Sequence, residues 1–171
     1  MIKRPEKDQY YLDIARVVST RSTCLKVLMG AIIVREDQII AAGYAGAPRH
    51  TKSSLEHNFC LRKKLGIPSG TQYEMCRSVH AEQNAIINAA RAGVSLLGGD
   101  IFIYGELQET HQPIDAFPCF ICKKMIINCG LNRVICSVIE KEKDYIVFSV
   151  TDWIKEWQEK DIIEDKYRYG K

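Results

Sequence analysis

Residues 80–93 read HAEQNAIINAARAG, and the architecture follows from what this stretch and its successors form. Ala81 to Ala92 is rich in good helix formers and stops at Gly93, a residue suited to the left-handed turn that closes a helix. A strand pattern follows at Ile101–Tyr104. A second helix pattern spans Cys119–Cys129, with Pro118 at its start and Gly130 after its end. Arg133–Val138 is the next strand. Helix, strand, helix and strand in close succession imply an α/β layered fold.

The flanks extend the same pattern. Met29–Val34 and Gln38–Ala42 are apolar, β-branched runs, and the polar Arg35-Glu36-Asp37 between them predicts a hairpin. Asp8 to about Thr20 predicts a helix capped by Asp8, with Tyr11, Leu12, Ala15 and Val18 as its apolar stripe. Ile146–Val150 predicts a fifth strand. Thr151 is the expected cap of a last helix carrying Trp153, Ile154 and Trp157 on one face, and the charged tail 164–171 is expected to fray. Residues 43–79 are long, polar and punctuated by Gly and Pro, interrupted by a short helix near Phe59–Leu65 that ends at Gly66. A stretch this long without regular structure is usually functional.

At 171 residues the chain suits one domain, 1–171. A net charge of +3 argues against a duplex-binding surface, so nucleic acid is not an expected partner; it suits a small anionic substrate. No apolar core backs the charged start Met1–Asp8, and no run approaches the roughly 18 apolar residues of a membrane helix. The expected location is cytoplasmic, away from membranes. Seven cysteines without a secretion signal favour metal binding and buried thiols over disulfides. Cys129 and Cys136 sit among apolar neighbours and read as core residues.

The chemistry gathers at two helix starts. His80, Cys119 and Cys122 supply three zinc ligands, and three protein ligands leave a fourth position open for water, as in catalytic rather than structural sites. Helix N-termini stabilise thiolates, the metal-binding form. Cys119 and Cys122 are three apart and share one side of the first turn. Glu82, two residues after His80, is left to move protons. The competing reading is a structural zinc with an inert Glu82. The order H-x-E…P-C-x-x-C is the signature of zinc deaminases of nucleobases.

At these residues the chain resembles the zinc-dependent cytidine and deoxycytidylate deaminase family, most closely the bacterial-type dCMP deaminases. The resemblance runs from about Tyr10 to Val138. It includes Arg21-Ser22-Thr23-Cys24, Gly30-Ala31-Ile32-Ile33-Val34, Gly43-Tyr44-Ala45-Gly46-Ala47-Pro48, Cys60-Leu61-Arg62, Gly66-Ile67-Pro68-Ser69-Gly70 and Cys76 through Ile86. It implies a three-layer α/β/α fold, a five-stranded mixed sheet with helices on both faces. It also implies a homo-oligomer, dimer or hexamer, and the reaction of dCMP with water to dUMP and ammonia. Tyr44, Ala45 and Ala81 match substrate-binding positions, and Arg21, Lys26 and Arg49 are the candidates for a 5′-phosphate, with Ser22 and Thr23 behind them. Cys24, Cys60 and Cys76 match family cysteines; with His57 they would hold a second, structural zinc, and otherwise they are three buried thiols. His50 and His111 read as loop histidines.

The chain also departs from the family pattern. Ala45 stands where relatives carry an asparagine that contacts the sugar. Residues 105–117 form an insertion before Pro118-Cys119, read as a lid or an interface. His50, Ser53 and Ser54 replace a glycine and a His-Cys pair. Two other readings stay open: a different nucleobase deaminase, acting on tRNA adenosine or a modified cytosine nucleotide, and a non-catalytic zinc-binding relative that binds nucleotide.

Overall fold

The computed structural model describes residues 4–139 and 143–159. In chain order the elements are α1 (Lys7–Ser19), β1 (Val27–Arg35), β2 (Gln38–Tyr44), the short helices α2 (Ser54–His57) and α3 (Leu61–Lys64), a 3-10 turn at Tyr73–Met75, α4 (Ala81–Ala92), β3 (Asp100–Leu107), α5 (Phe120–Asn128), β4 (Arg133–Ser137), β5 (Tyr145–Ser149) and α6 (Val150–Glu159). The strands make one sheet in the order β2-β1-β3-β4-β5. β3 and β4 are parallel and joined through α5; the other neighbouring pairs are antiparallel. The sheet is therefore mixed and five-stranded, as the resemblance implies.

Period-two alternation sends strand side chains into two cores. Ile32, Val34, Phe102 and Ile135 meet Tyr11, Leu12 and Ala15 of α1 on one face. Ala31, Ile33, Ile101, Ile103, Val134 and Cys136 meet α4, α5 and α6 on the other, through Ala81, Ala85, Ala89, Ile126 and Trp153. Helices on both faces complete three layers. The hairpin closes through Glu36 and Asp37, both at positive φ (51° and 61°), with Arg35 paired to Gln38. Such two-residue turns match the twist of the strands they join.

The placement of α4 rests on small residues. A Cβ on Gly43 of β2 would lie 2.3 Å from the backbone nitrogen of Ala85 and 2.5 Å from the carbonyl of Ala81. On the opposite face a Cβ on Gly30 would lie 2.3 Å from the Ala15 carbonyl, so α1 approaches β1 equally closely. The α4 face that turns toward edge strand β2 also carries two asparagines a turn apart. Asn84 Nδ2 donates to the Tyr44 carbonyl (2.8 Å) and Asn88 Nδ2 to the Ala42 carbonyl (2.7 Å). They satisfy edge carbonyls that the sheet leaves free.

Several boundaries differ from expectation. Asp8 is not a cap: Glu6 holds the N-cap position of α1, and Asp8 instead pairs with Arg133 (3.3 Å), which also grips Asp100 (2.7 Å). Thr151 lies inside α6, because β5 runs directly into the helix at Val150. Pro118 precedes the N-cap of α5, which is Cys119 itself. The helix expected near Phe59–Leu65 shrinks to Leu61–Lys64. The unforeseen α2 is set by a capping box, in which the Ser53 hydroxyl accepts from the Glu56 backbone and the Glu56 carboxylate from the Ser53 N–H. Cys136 is fully buried, whereas Cys129 is only half-buried. The tail 164–171 lies outside the described residues.

Part of the insertion belongs to the sheet. β3 does not stop at Tyr104 but continues to Leu107, because Gly105, Glu106 and Leu107 find partners in Met29, Leu28 and Val27. The chain then turns and comes back, with Leu107 N–H bonded to the Gln112 carbonyl and Ile114 N–H to the Gly105 carbonyl. Most of residues 105–117 is thus a strand extension and its return, tied to the end of the central strand β3.

Gly43→Ala tests the close approach. The added methyl has backbone on two sides, so the substitution should destabilise the fold by about 1–3 kcal/mol or more. Urea unfolding reads this as a lowered midpoint at unchanged slope; a midpoint equal to the parent's would show that α4 has room to move.

Candidate metal centre

α4 and α5 begin side by side at one end of the sheet. His80 is the N-cap of α4 and Cys119 the N-cap of α5, both in extended backbone just before the helix. The His80 backbone is pinned by Gln83, whose Oε1 accepts its N–H at 3.1 Å. His80 Nδ1 lies 3.4 Å from Cys119 Sγ and 3.4 Å from Cys122 Sγ, and the two sulfurs are 3.5 Å apart. A tetrahedral zinc, with bonds of about 2.3 Å to sulfur and about 2.0 Å to nitrogen, spaces its ligand atoms roughly 3.5–3.8 Å apart. The donor set and its spacing both fit zinc. Among the described residues this is the one group of three or more His, Cys, Asp or Glu side chains close enough to share an ion.

The two thiols are coupled through their Sγ–Sγ contact. The Cys122 thiol hydrogen bond, helped by His80 and opposed by burial, brings the Cys119 pKa down to about 4. Donating that bond, together with burial, pushes Cys122 well above the usual thiol range. Burial works against a charged His80, but Cys119 and Glu82 outweigh it and leave its pKa raised. Glu82 is buried in the first turn of α4, and desolvation raises its pKa, against the opposing pull of His80. Its carboxylate lies against the Cys122 thiol.

The remaining sequence candidates are held by different partners. Ala81 is fully buried under Gly43, one residue from His80. Tyr44 ends β2, and its carbonyl is held by Asn84. Ala45 is buried; its carbonyl accepts from Thr23 N–H (2.9 Å) and from the Ser22 hydroxyl (3.0 Å), which closes the 20–26 loop onto β2. Arg21 is exposed beyond the end of α1. Lys26 Nζ donates to Ser69 Oγ at 2.7 Å, joining that loop to the 58–79 segment. Arg49 is drawn to Asn88 Oδ1 (2.6 Å), about 12 Å along α4 from His80 at the usual helical rise. Cys24, His57, Cys60 and Cys76 do not gather to metal-holding distance. Burial raises the Cys76 pKa, and the Cys24 and Cys60 thiols add to the rise. His50 sits at a positive-φ loop position, and His111 at another, where it pairs with Glu106 at 2.6 Å.

Sequence reasoning passed over Asn84 and Asn88, which hold α4 to β2, and Tyr73, whose ring meets His80. The asparagines were legible as an i, i+4 pair on a helix beside an edge strand. Tyr73 lies in a segment without periodicity and left no such signal.

Known proteins match this chain over the same region. The family model for the cytidine and deoxycytidylate deaminase zinc-binding region covers residues 5–138. The deoxycytidylate deaminase of Saccharomyces cerevisiae is 32% identical over 136 residues, 80% of this chain. That match takes in 39% of the yeast protein, so the chain spans about two fifths of its length. The deoxycytidylate deaminase of Mycobacterium phage D29 is 30% identical over 139 residues, covering 78% of this chain and 96% of the phage protein. The crystal structure of dCMP deaminase from the cyanophage S-TIM5, in complex with dCMP and dUMP, aligns with a TM-score of 0.55 at 26% identity. It covers 78% of this chain and 82% of that one.

Removing the metal tests the centre. Zinc that binds only the folded chain stabilises it by mass action. Dialysis against a strong chelator should therefore lower the melting temperature, and added zinc should restore it. Cys122→Ser should lose most of its bound zinc by elemental analysis. Full zinc occupancy in that variant would remove Cys122 from the ligand set.

Proposed function

The chain belongs to the cytidine and deoxycytidylate deaminase family, and from this we propose that it hydrolyses the 4-amino group of a deoxycytidine nucleotide, dCMP foremost, to give dUMP and ammonia. The observation that carries the reading is Glu82, a buried carboxylate two residues after ligand His80 and beside ligand Cys122. A structural zinc has no use for an acid so placed. Residues 1–171 form one deaminase domain in this reading.

His80, Cys119 and Cys122 would hold the zinc, which when bound would supply hydroxide near neutral pH by lowering the pKa of water to about 7. Glu82 does the proton work: its carboxylate takes the proton of the attacking water and passes it to the ring nitrogen beside C4. The C4–N bond then breaks, and Glu82 helps the amino group leave as ammonia while the new C4–O bond becomes the carbonyl of dUMP. Burial favours this role, since a carboxylate whose proton affinity is raised gives and takes protons more evenly. Arg21 and Lys26 are proposed to meet the 5′-phosphate, and Tyr44, Ala45 and Ala81 to line the nucleotide. Arg49 belongs to this set only if the nucleotide draws it from Asn88. Sugar recognition comes from groups other than the Ala45 side chain, which is a methyl.

Among the described residues no helix is long and apolar enough to cross a membrane. We place the enzyme in the cytoplasm as a homo-oligomer, dimer or hexamer, following its resemblance to the family. Zinc stoichiometry decides the second-metal question. One equivalent leaves Cys24, Cys60 and Cys76 as thiols, and two would mean that they and His57 close round an ion.

The test is ammonia release from dCMP, run beside dCTP, CMP, deoxycytidine and a tRNA anticodon stem. Turnover should be greatest with dCMP. Glu82→Gln, nearly isosteric, should lower kcat by roughly 10²–10⁴-fold with zinc retained. A zinc-loaded parent inert toward every cytosine substrate would overturn the reading, as would an active Glu82→Gln.

A further inference from the structure

The ring of a ligating histidine needs more than its backbone to aim it. The bond from Cβ to the imidazole has a broad torsional preference, so local geometry leaves the direction of Nδ1 loosely set. Metal-binding histidines are usually oriented by a neighbour outside the ligand set. In this chain the neighbour comes from the 58–79 segment. Tyr73 stands at right angles to His80, with ring centroids 4.9 Å apart and planes at 89°. On Tyr73 in turn lies the Arg62 guanidinium, 5.0 Å from the ring centroid. Arg62 Nη2 donates to the Pro68 carbonyl at 2.7 Å and to the Thr71 carbonyl, which binds residues 62–73 into one unit. Ser69, within that unit, accepts from Lys26 Nζ.

We propose that Tyr73 is a positioning residue for the metal: its ring blocks rotation of the His80 imidazole and keeps Nδ1 aimed at the two thiols, while Arg62 holds Tyr73 against it. The contact is one of shape and right-angle ring packing, which the ring provides and the hydroxyl does not. The cation over the ring face also anchors Tyr73. The segment that borders the site thus also sets the geometry of a ligand. This inference rests on His80 being a zinc ligand, and not on which nucleotide the enzyme takes.

The experiment compares Tyr73→Leu, Tyr73→Phe and Arg62→Met with the parent. Zinc affinity is measured by competition with a chromophoric chelator, and ligand geometry by the visible absorption of the cobalt(II)-substituted proteins. Tyr73→Leu should bind zinc at least about tenfold more weakly, within the range found when a partner behind a ligating histidine is removed, and its cobalt bands should shift. Tyr73→Phe should match the parent in both, and Arg62→Met should fall between. Melting of the metal-free proteins separates these effects from unfolding. Should Tyr73→Leu fail to fold, Arg62→Met carries the decision through the same two measurements. Parent-like zinc affinity and unshifted bands in Tyr73→Leu would overturn the proposal. So would a Tyr73→Phe as impaired as Tyr73→Leu, since the hydroxyl would then be the working part. A parent that binds zinc but leaves dCMP untouched would count against the proposed reaction and leave these readouts able to decide.

Discussion

The metal centre depends on how closely α4 lies on the sheet. Its ligand His80 sits on a helix end, so any shift of that helix moves Nδ1 away from the thiols on α5. The approach is set by the missing side chain of Gly43 and by Ala81, Ala85 and Ala89, each almost fully buried. Larger residues at these positions would lift the helix off β1 and β2. Asn84 and Asn88 then fix its rotation by bonding to two carbonyls of the edge strand. Packing sets the distance and hydrogen bonds set the register, and both act on the element that carries His80 and Glu82.

The second half of the centre follows from topology. β3 and β4 are parallel, so the chain must cross over between them, and α5 is that crossover. A crossover helix that packs back on the sheet starts at the end where β3 finishes. α4 starts at the same end. Two helix N-termini, each with unsatisfied N–H groups and partial positive charge, therefore meet. Thiolates and a carboxylate are the groups such a place favours. The low pKa of Cys119 fits the same field, although its immediate causes are the hydrogen bonds from Cys122 and His80.

Much of this was legible in the sequence because it is periodic or punctuated. The helix 81–92 with Gly93 after it has the same limits in the structure, where Gly93 has φ +68°. The hairpin and the gathering of His80, Cys119 and Cys122 were equally readable. Less legible were features that depend on pairing between distant segments. β3 outruns its apolar core because Glu106 and Leu107 gain backbone partners on β1, a gain that no local propensity records. Asp8 has the composition of a cap, but Arg133, far along the chain, offers it an ion pair. The four-residue helix α2 depends on a reciprocal Ser53–Glu56 pair in a polar segment, a signal easily overlooked without a hydrophobic run behind it.

The least legible part is the irregular chain outside the metal centre, and the reason is physical. Zinc chemistry needs few residue types at short spacing, so it leaves a motif. A supporting loop needs only a surface at the right distance, and many sequences supply one. At Ala45 the structure uses the backbone: Ser22 and Thr23 bond to its carbonyl, and the residue is buried. At Tyr73 it uses a ring, placed by an arginine that reaches back along its own loop. Neither position contributes a ligand or an acid. Between them they join the 20–26 loop and the 58–79 segment to the ends of β2 and α4, and through those elements to His80.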